Sequence, residues 1–310
     1  MGKKTFKTID EQIEILKNKG LVFDDVENPG EILVRENYFF LNGYRHVFLK
    51  SAGTSLFIDG TNFSELYGLF TFDRHLRNIL FKNILIVENN VKSIFSYVIS
   101  KNHGYKETTY LDSSIFTRDS HKIRQINDLI RKMKRQIKVN GKQHNATRHY
   151  MDNYGYLPLW VVVKVLSFGI VSELYCVLQK EDQEEIASYF HLSVDDLLVY
   201  LPILSNYRNL CAHEDICYEH KSHTSIAPNK YHSILNIPKN EDNEYVYGLN
   251  DMFALIIILK EILRQNDFNL LINEVAYEID ILDGKLKTID IIKVLDRMGF
   301  PPNYREISDI

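Results

Sequence analysis

Arg208 and His213 share the run Tyr207-Arg208-Asn209-Leu210-Cys211-Ala212-His213-Glu214-Asp215. An arginine is a permanent cation that grips a phosphate through two parallel hydrogen bonds. A histidine moves a proton near neutral pH. Together they suit the cutting of RNA by its own 2′-OH. That reaction needs a base for the hydroxyl, an acid for the leaving 5′-oxygen and positive charge beside the crowded phosphate. It leaves a 2′,3′-cyclic phosphate and a 5′-OH, and it needs no metal or other cofactor.

On an ideal helix Asn209 and His213 are four apart and share a face, so Asn209 is placed to orient the imidazole. Arg208 lies about 140° from His213 on the same wheel, a gap that its long side chain or a helix end near His213 must close. The chain holds 13 Arg and 11 His. Asking for a His five to seven positions after an Arg returns about one hit by chance, so the spacing alone decides nothing. The same residues also read as an exposed ion pair and a helix C-terminal His favoured by the dipole. The chain carries one such motif, whereas concerted acid–base cleavage wants two proton-handling groups. A two-fold homodimer that pools two copies of Arg208 and His213 is the simplest answer.

Residues 120–149 set nine cations, Lys122, Arg124, Arg131, Lys132, Lys134, Arg135, Lys138, Lys142 and Arg148, against Asp128 alone. One reading is a surface that tracks RNA phosphates, with Lys122, Arg124, Arg131, Lys132, Lys134, Arg135 and Lys138 as its contacts. The other is a solvated helix face balanced by the acidic 181–196 stretch. Arg74, His75, Arg77 and Asn78, with Glu88 further along, read either as helix-to-helix hydrogen bonding or as support that orients Arg208 or Asn209. His213, His220, His223 and His232 with Glu214 and Asp215 raise a metal hydrolase as an alternative, but their spacing matches no metal signature. No Gly-rich phosphate loop and no Ser/His/Asp triad is visible.

The elements that must carry these residues are mostly helices. Residues 8–20 have helical spacing, with Gly20 as the expected C-cap. Residues 31–60 are ambiguous between strand and helix, because aromatic and β-branched residues cluster between Gly43, Gly53 and Gly60. Residues 64–100 repeat apolar side chains at three, four or seven positions. Residues 120–139 put Ile123, Ile126, Ile130, Met133 and Ile137 on one face, and 141–147 read as a polar loop. Residues 158–178 read as one buried helix, with Gly169 where a neighbouring helix comes close. Residues 181–190 are acidic and helical in pattern. Ser193 with Asp196 marks a helix start, and that helix runs on toward Arg208. Residues 219–247 lose periodicity, 251–263 form an apolar helix, and a last helix begins near Ile289. No repeat of domain scale is present.

With 45% hydrophobic residues, 19 Tyr and 17 Phe, the chain can bury a sizeable core. A net charge of −4 gives no general support to nucleic-acid binding, so any such site must be a local patch. The cysteines Cys176, Cys211 and Cys217 are odd in number and lack a Cys-x-x-Cys pair, which points to buried free thiols in a reducing compartment. The polar start Met1-Gly2-Lys3-Lys4 holds no apolar signal segment. Lys164 and Glu173 interrupt the most hydrophobic stretch, so no membrane span and a cytoplasmic location are expected.

The run around Arg208 resembles the Arg-x4–6-His signature of HEPN-domain ribonucleases, in the form with Asn directly after Arg. The wider chain is similar to the Abi-like (AbiD/AbiF) abortive-infection family. Resembling stretches are Asn37-Tyr38-Phe39-Phe40-Leu41-Asn42-Gly43-Tyr44, Phe72-Asp73-Arg74-His75-Leu76-Arg77 and Tyr110-Leu111-Asp112. Others are Leu166-Ser167-Phe168-Gly169-Ile170-Val171-Ser172 preceded by Trp160, the Arg208-Asn209 and Cys211-Ala212-His213-Glu214 run, and Met298-Gly299-Phe300-Pro301. The resemblance implies an all-α fold: a HEPN-like helical bundle core over 63–270, an N-terminal extension over 1–62 and a C-terminal helical extension over 271–310. It implies metal-independent RNA endonuclease activity with Arg208, Asn209 and His213 catalytic, a homodimer with a composite active site, and a role in stopping phage spread. A small RNA or an antitoxin protein as regulator is implied by the same analogy. Two departures stand out: Tyr207 replaces the usual Ile or Val before the Arg, and the acidic Glu214-Asp215 follow the His. The alternative is a non-catalytic RNA-binding or dimerisation module in the same defence setting.

Overall fold

The computed structural model describes residues 5–24, 26–141 and 143–310. The polar start at residues 1–4 and the cation Lys142 lie outside the described residues. Fifteen α-helices follow one another in the described chain. They are α1 (Ile9–Asn18), α2 (Pro29–Glu36), α3 (Tyr38–Gly43), α4 (Phe63–His103), α5 (Glu107–Tyr110), α6 (Ile123–Asn140), α7 (Asn145–Tyr154) and α8 (Leu159–Val162). Then come α9 (Phe168–Tyr175), α10 (Lys180–Ser188), α11 (Val194–Ala212), α12 (Lys230–Ile234), α13 (Met252–Ile262), α14 (Gln265–Asp283) and α15 (Ile291–Met298). Four isolated β-bridges stand in for sheet among the described residues, so the fold is all-α. No described helix is long and apolar enough to cross a membrane.

The axis of the molecule is α4, with 41 residues and a length of about 60 Å. Asn62 caps its start in a box with Glu65, which satisfies two of the amides a helix leaves open. Leu66, Leu69, Leu76, Leu80, Ile84 and Val87 are all buried along it. Around it pack α3, α8, α9, α10, α11, α13 and α14, and that is why α4 buries side chains on several faces rather than one stripe. Beyond, α6 lies on α9, and α9 lies on α11. The hydrophobic core runs unbroken from Leu16 near the start to Ile307 near the end.

The structure corrects several expectations. The ambiguous 31–60 segment contains α2, α3 and a 3-10 turn over Tyr44–Phe48. Asn37, at a φ of 68°, hinges α2 to α3 and caps Phe39. The expected single helix over 158–178 is two short ones, because the Ser167 hydroxyl accepts the Ile170 amide and starts α9 afresh. Gly169 does sit where a helix approaches: a Cβ there would lie 3.3 Å from the Ser205 hydroxyl of α11. The polar loop is shorter than read, since α7 begins at Asn145. Lys19 is the half-helical cap residue of α1, and Gly20 after it closes the helix at a φ of 91° as expected, with the Leu21 amide returning to the Leu16 carbonyl. The apolar stripe of α6 buries Ile126, Leu129, Ile130 and Met133, but Ile123 is exposed.

Gly299 closes α15 at a φ of 73°, and a Cβ there would fall 2.1 Å from the Asp251 carboxyl carbon. That carboxylate is committed: it accepts the Gly248 and Ala254 amides and so caps α13. Burial pushes the Asp251 carboxyl up to about 6, against the pull of those amides. Gly299→Ala therefore combines backbone strain with loss of a buried cap. We expect it to cost about 3 kcal/mol, read as a lower midpoint in urea unfolding; an unchanged midpoint would refute the account.

Candidate active site

The candidate residues sit on the last turn of α11. Ser193 starts that helix by accepting the Asp196 amide. The helix ends at Ala212 and His213 is its C-cap, with its amide donating to the Asn209 carbonyl at 3.0 Å. Glu214 takes a left-handed conformation, φ 57°, and the Asp215 amide returns to the Leu210 carbonyl at 3.2 Å. This is the Schellman arrangement, made here without glycine. The expected helix end near His213 is thus present. Asn209 and His213 are both exposed.

A second anchor fixes the chain just beyond. Asp73 of α4 is fully buried, and its carboxylate accepts the amides of Cys217 at 3.0 Å and Tyr218 at 2.8 Å. It also accepts the Tyr44 hydroxyl at 2.7 Å and the Arg77 guanidinium at 2.5 Å. Arg77 in turn donates to the Asp215 carbonyl. Burial pushes the Asp73 carboxyl up; the Arg77 charge, the Tyr44 hydroxyl and the two amides oppose it. A carboxylate with four donors holds one geometry, so the 213–218 turn is pinned from both ends.

Arg208 is half-buried. Its Nε donates to Glu88 Oε2 at 3.2 Å, and its guanidinium lies 5.7 Å from the centre of the Phe81 ring. Glu88 itself is buried on α4 and takes Lys92 Nζ at 2.6 Å. The two Nη groups of Arg208 make no hydrogen bond among the described residues. The guanidinium is therefore held through one nitrogen, and its two Nη groups are left without protein hydrogen bonds among the described residues, as a group that takes a phosphate needs. The Asn209 side chain makes no hydrogen bond to His213; the tie between them is through the backbone.

The other candidates divide. Glu88 reaches Arg208, whereas Arg77 serves the turn after His213. Arg74 grips Glu36 of α2 with both Nη groups, at 3.1 and 2.5 Å, over the Phe70 ring. That hydrogen bonding holds the Arg74 guanidinium above its usual range, with Glu214 adding to the pull. Arg74 therefore offsets one of the two carboxylates beside His213. Asn78 faces away, toward Glu274 and Tyr277 of α14. Asp73 and Lys92, each four residues from its partner on α4, are the participants that the sequence reading passed over. The i,i+4 spacing of opposite charges was their signal.

Of the cations on α6, Lys132 pairs with Glu173 of α9 at 2.7 Å and Arg131 pairs with Asp128; Lys122, just before the helix, donates to the Cys176 carbonyl. Arg124, Lys134, Arg135 and Lys138 are exposed and make no ion pair among the described residues. The acidic stretch does not balance them. Glu185 and Asp182 instead hold Lys101, Asn102 and His103 at the end of α4. Arg135 and Gly169 line the same shallow hollow of about 480 Å³, and Gly169 abuts Ser205.

The histidines proposed as metal ligands disperse. His232 is buried, with Nε2 on the Gly248 carbonyl and Nδ1 on Asn229. His220 holds Asn206 and packs on the Tyr207 ring at 5.1 Å. Burial lowers the His220 imidazole, as does His223, against Asp215. No three His, Cys, Asp or Glu side chains among the described residues are grouped to share an ion. Tyr207 is fully buried, and its hydroxyl donates to the His220 carbonyl at 3.1 Å. A smaller aliphatic residue there would forfeit that tie. Cys211 and Cys217 are buried free thiols, and Cys176 is half-buried.

The Abi-like protein family model matches residues 31–219, more than half of the chain. The chain belongs to the Abi-like family. No curated protein and no solved structure matches it. The span that makes this chain Abi-like takes in α2, α3, α4 and α11 with the turn to Glu219, every element named above around Arg208 and His213.

Proposed function

We propose that this Abi-like protein is a metal-independent RNA endonuclease that acts in abortive-infection defence against phage. The observation that carries the reading is the state of Arg208: buried Glu88 holds it through Nε, its two Nη groups make no hydrogen bond among the described residues, and exposed His213 caps the same helix. His213 moves protons, Arg208 stabilises the pentacoordinate phosphate, and Asn209 contacts the same stretch of RNA. Each chain supplies one imidazole. Attack by the 2′-OH and departure of the 5′-oxygen call for two, so a second copy brings its own Arg208 and His213 in a two-fold homodimer. The four unpaired cations of α6 extend the surface that holds the strand. The kinship to HEPN ribonucleases rests on the Arg208–His213 run, and the defence setting rests on the family match.

Incubation of the purified protein with single-stranded RNA in excess EDTA tests the chemistry. We expect cleavage to persist, with fragments that end in a 2′,3′-cyclic phosphate and begin with a 5′-OH. Loss of cutting in EDTA and its return with a divalent ion would refute the mechanism.

A further inference from the structure

Beside His213 lies a cleft of about 790 Å³, within the range typical of sites for small organic groups. Residues 35–45 of α2, α3 and the following turn form one wall, Phe70 and Arg74 of α4 the floor, and the 212–216 turn the opposite wall. The candidate proton-transfer group is therefore on the rim of a concave site.

Three features of that cleft lack an internal explanation. Phe39 and Phe40 sit side by side on α3 with 75% and 57% of their surface exposed and ring centroids 6.0 Å apart. Neighbouring aromatic rings left in water on a short helix are a recognition feature more than a folding one. Arg45 donates only to the Asn42 carbonyl, at 2.6 Å, so its charge has no anionic partner among the described residues. Asn42 also lines the cleft, and its buried Oδ1 accepts no hydrogen bond. Stacking rings beside an uncompensated guanidinium are what an unpaired nucleotide requires.

We propose that this cleft holds the nucleotide of a single-stranded RNA next to the bond cut at His213. The base stacks on Phe39 and Phe40, and Arg45 takes the adjoining phosphate. The wall comes from the segment before α4, so α2 and α3 select substrate while α11 cuts it. A base held in a cleft must be unstacked from its neighbours, which restricts the substrate to single-stranded RNA. This deepens the ribonuclease reading and rests on it.

The test compares six full-length proteins: wild type, His213→Ala, and the cleft variants Phe39→Ala/Phe40→Ala and Arg45→Ala, each made in both of those backgrounds. Binding of a fluorescent single-stranded RNA oligonucleotide is followed in the His213→Ala background to avoid cutting. Both cleft variants are expected to bind at least 10-fold more weakly there. In the active background they should raise KM with kcat within about threefold, because the lost contact is made before and during the reaction alike. Both rings are exposed, so an unchanged unfolding midpoint certifies the fold. Unchanged RNA affinity in the cleft variants, with wild type still cutting, overturns the cleft assignment alone. Unchanged RNA affinity together with a shift from dimer to monomer in light scattering overturns it in favour of a face that meets a second copy. Tight binding of 5′-AMP that RNA does not displace overturns it in favour of a free nucleotide. A wild type that neither binds nor cuts RNA overturns the ribonuclease reading and the cleft with it.

Discussion

His213→Ala is expected to reduce RNA cleavage by 10²-fold to 10⁴-fold, about the contribution of one general acid–base group, while the protein stays folded. The imidazole is exposed and makes no side-chain hydrogen bond among the described residues. The helix end is held by backbone bonds and by Asp73 rather than by the ring. RNA affinity should survive, because the α6 cations and the cleft side chains Phe39, Phe40 and Arg45 are untouched. The Arg208→Ala/His213→Ala double variant should be no slower than the worse single variant, since groups that act on one transition state are not additive. Expression of wild type and His213→Ala in bacteria, with growth and RNA integrity followed together, gives the decisive comparison. If His213→Ala still arrests growth and binds RNA as wild type does, the protein is a non-catalytic RNA-binding module and the endonuclease reading fails.

Asp73→Ala is expected to cost about 3–5 kcal/mol and to remove activity as well. It strips the buried Arg77 guanidinium of its counter-charge and leaves the Tyr44 hydroxyl and the Cys217 and Tyr218 amides without their acceptor. Adding Arg77→Met should recover only the part due to the unpaired charge, because the amides stay orphaned. Urea unfolding measures the first effect. Cleavage assayed well below the unfolding midpoint measures the second, since the turn that presents His213 is released. An Asp73→Ala protein as stable as wild type would mean that the anchor contributes nothing, and the account of how His213 is positioned would fall.

Much of this was legible in the residues. The apolar period over 64–100 marked α4, the 120–139 stripe marked α6, and Ser193 marked the start of α11; each is a local signal, because helix periodicity and capping act over one or two turns. The spacing of Arg208, Asn209 and His213 came with them. The segment before α4 was unreadable for a physical reason. Its aromatic and β-branched clusters suit strand or helix alone, and packing on α4 chose helix. The 158–178 stretch misled because apolar continuity does not show where a serine hydroxyl captures an amide and restarts a helix.

By itself the sequence determined a mostly helical protein, the Arg-Asn-x3-His run at the end of one helix, and a basic face on another. Only the tertiary structure decided that Glu88 would orient Arg208 from a distance of 120 residues. It also decided that Asp73 would catch the turn after His213 from 144 residues away, and that residues 35–45 would wall a cleft beside the site. Hydrogen bonds and ion pairs between remote elements have no period along the chain. They exist only once the helices pack, when desolvation forces each buried donor and acceptor to find its partner.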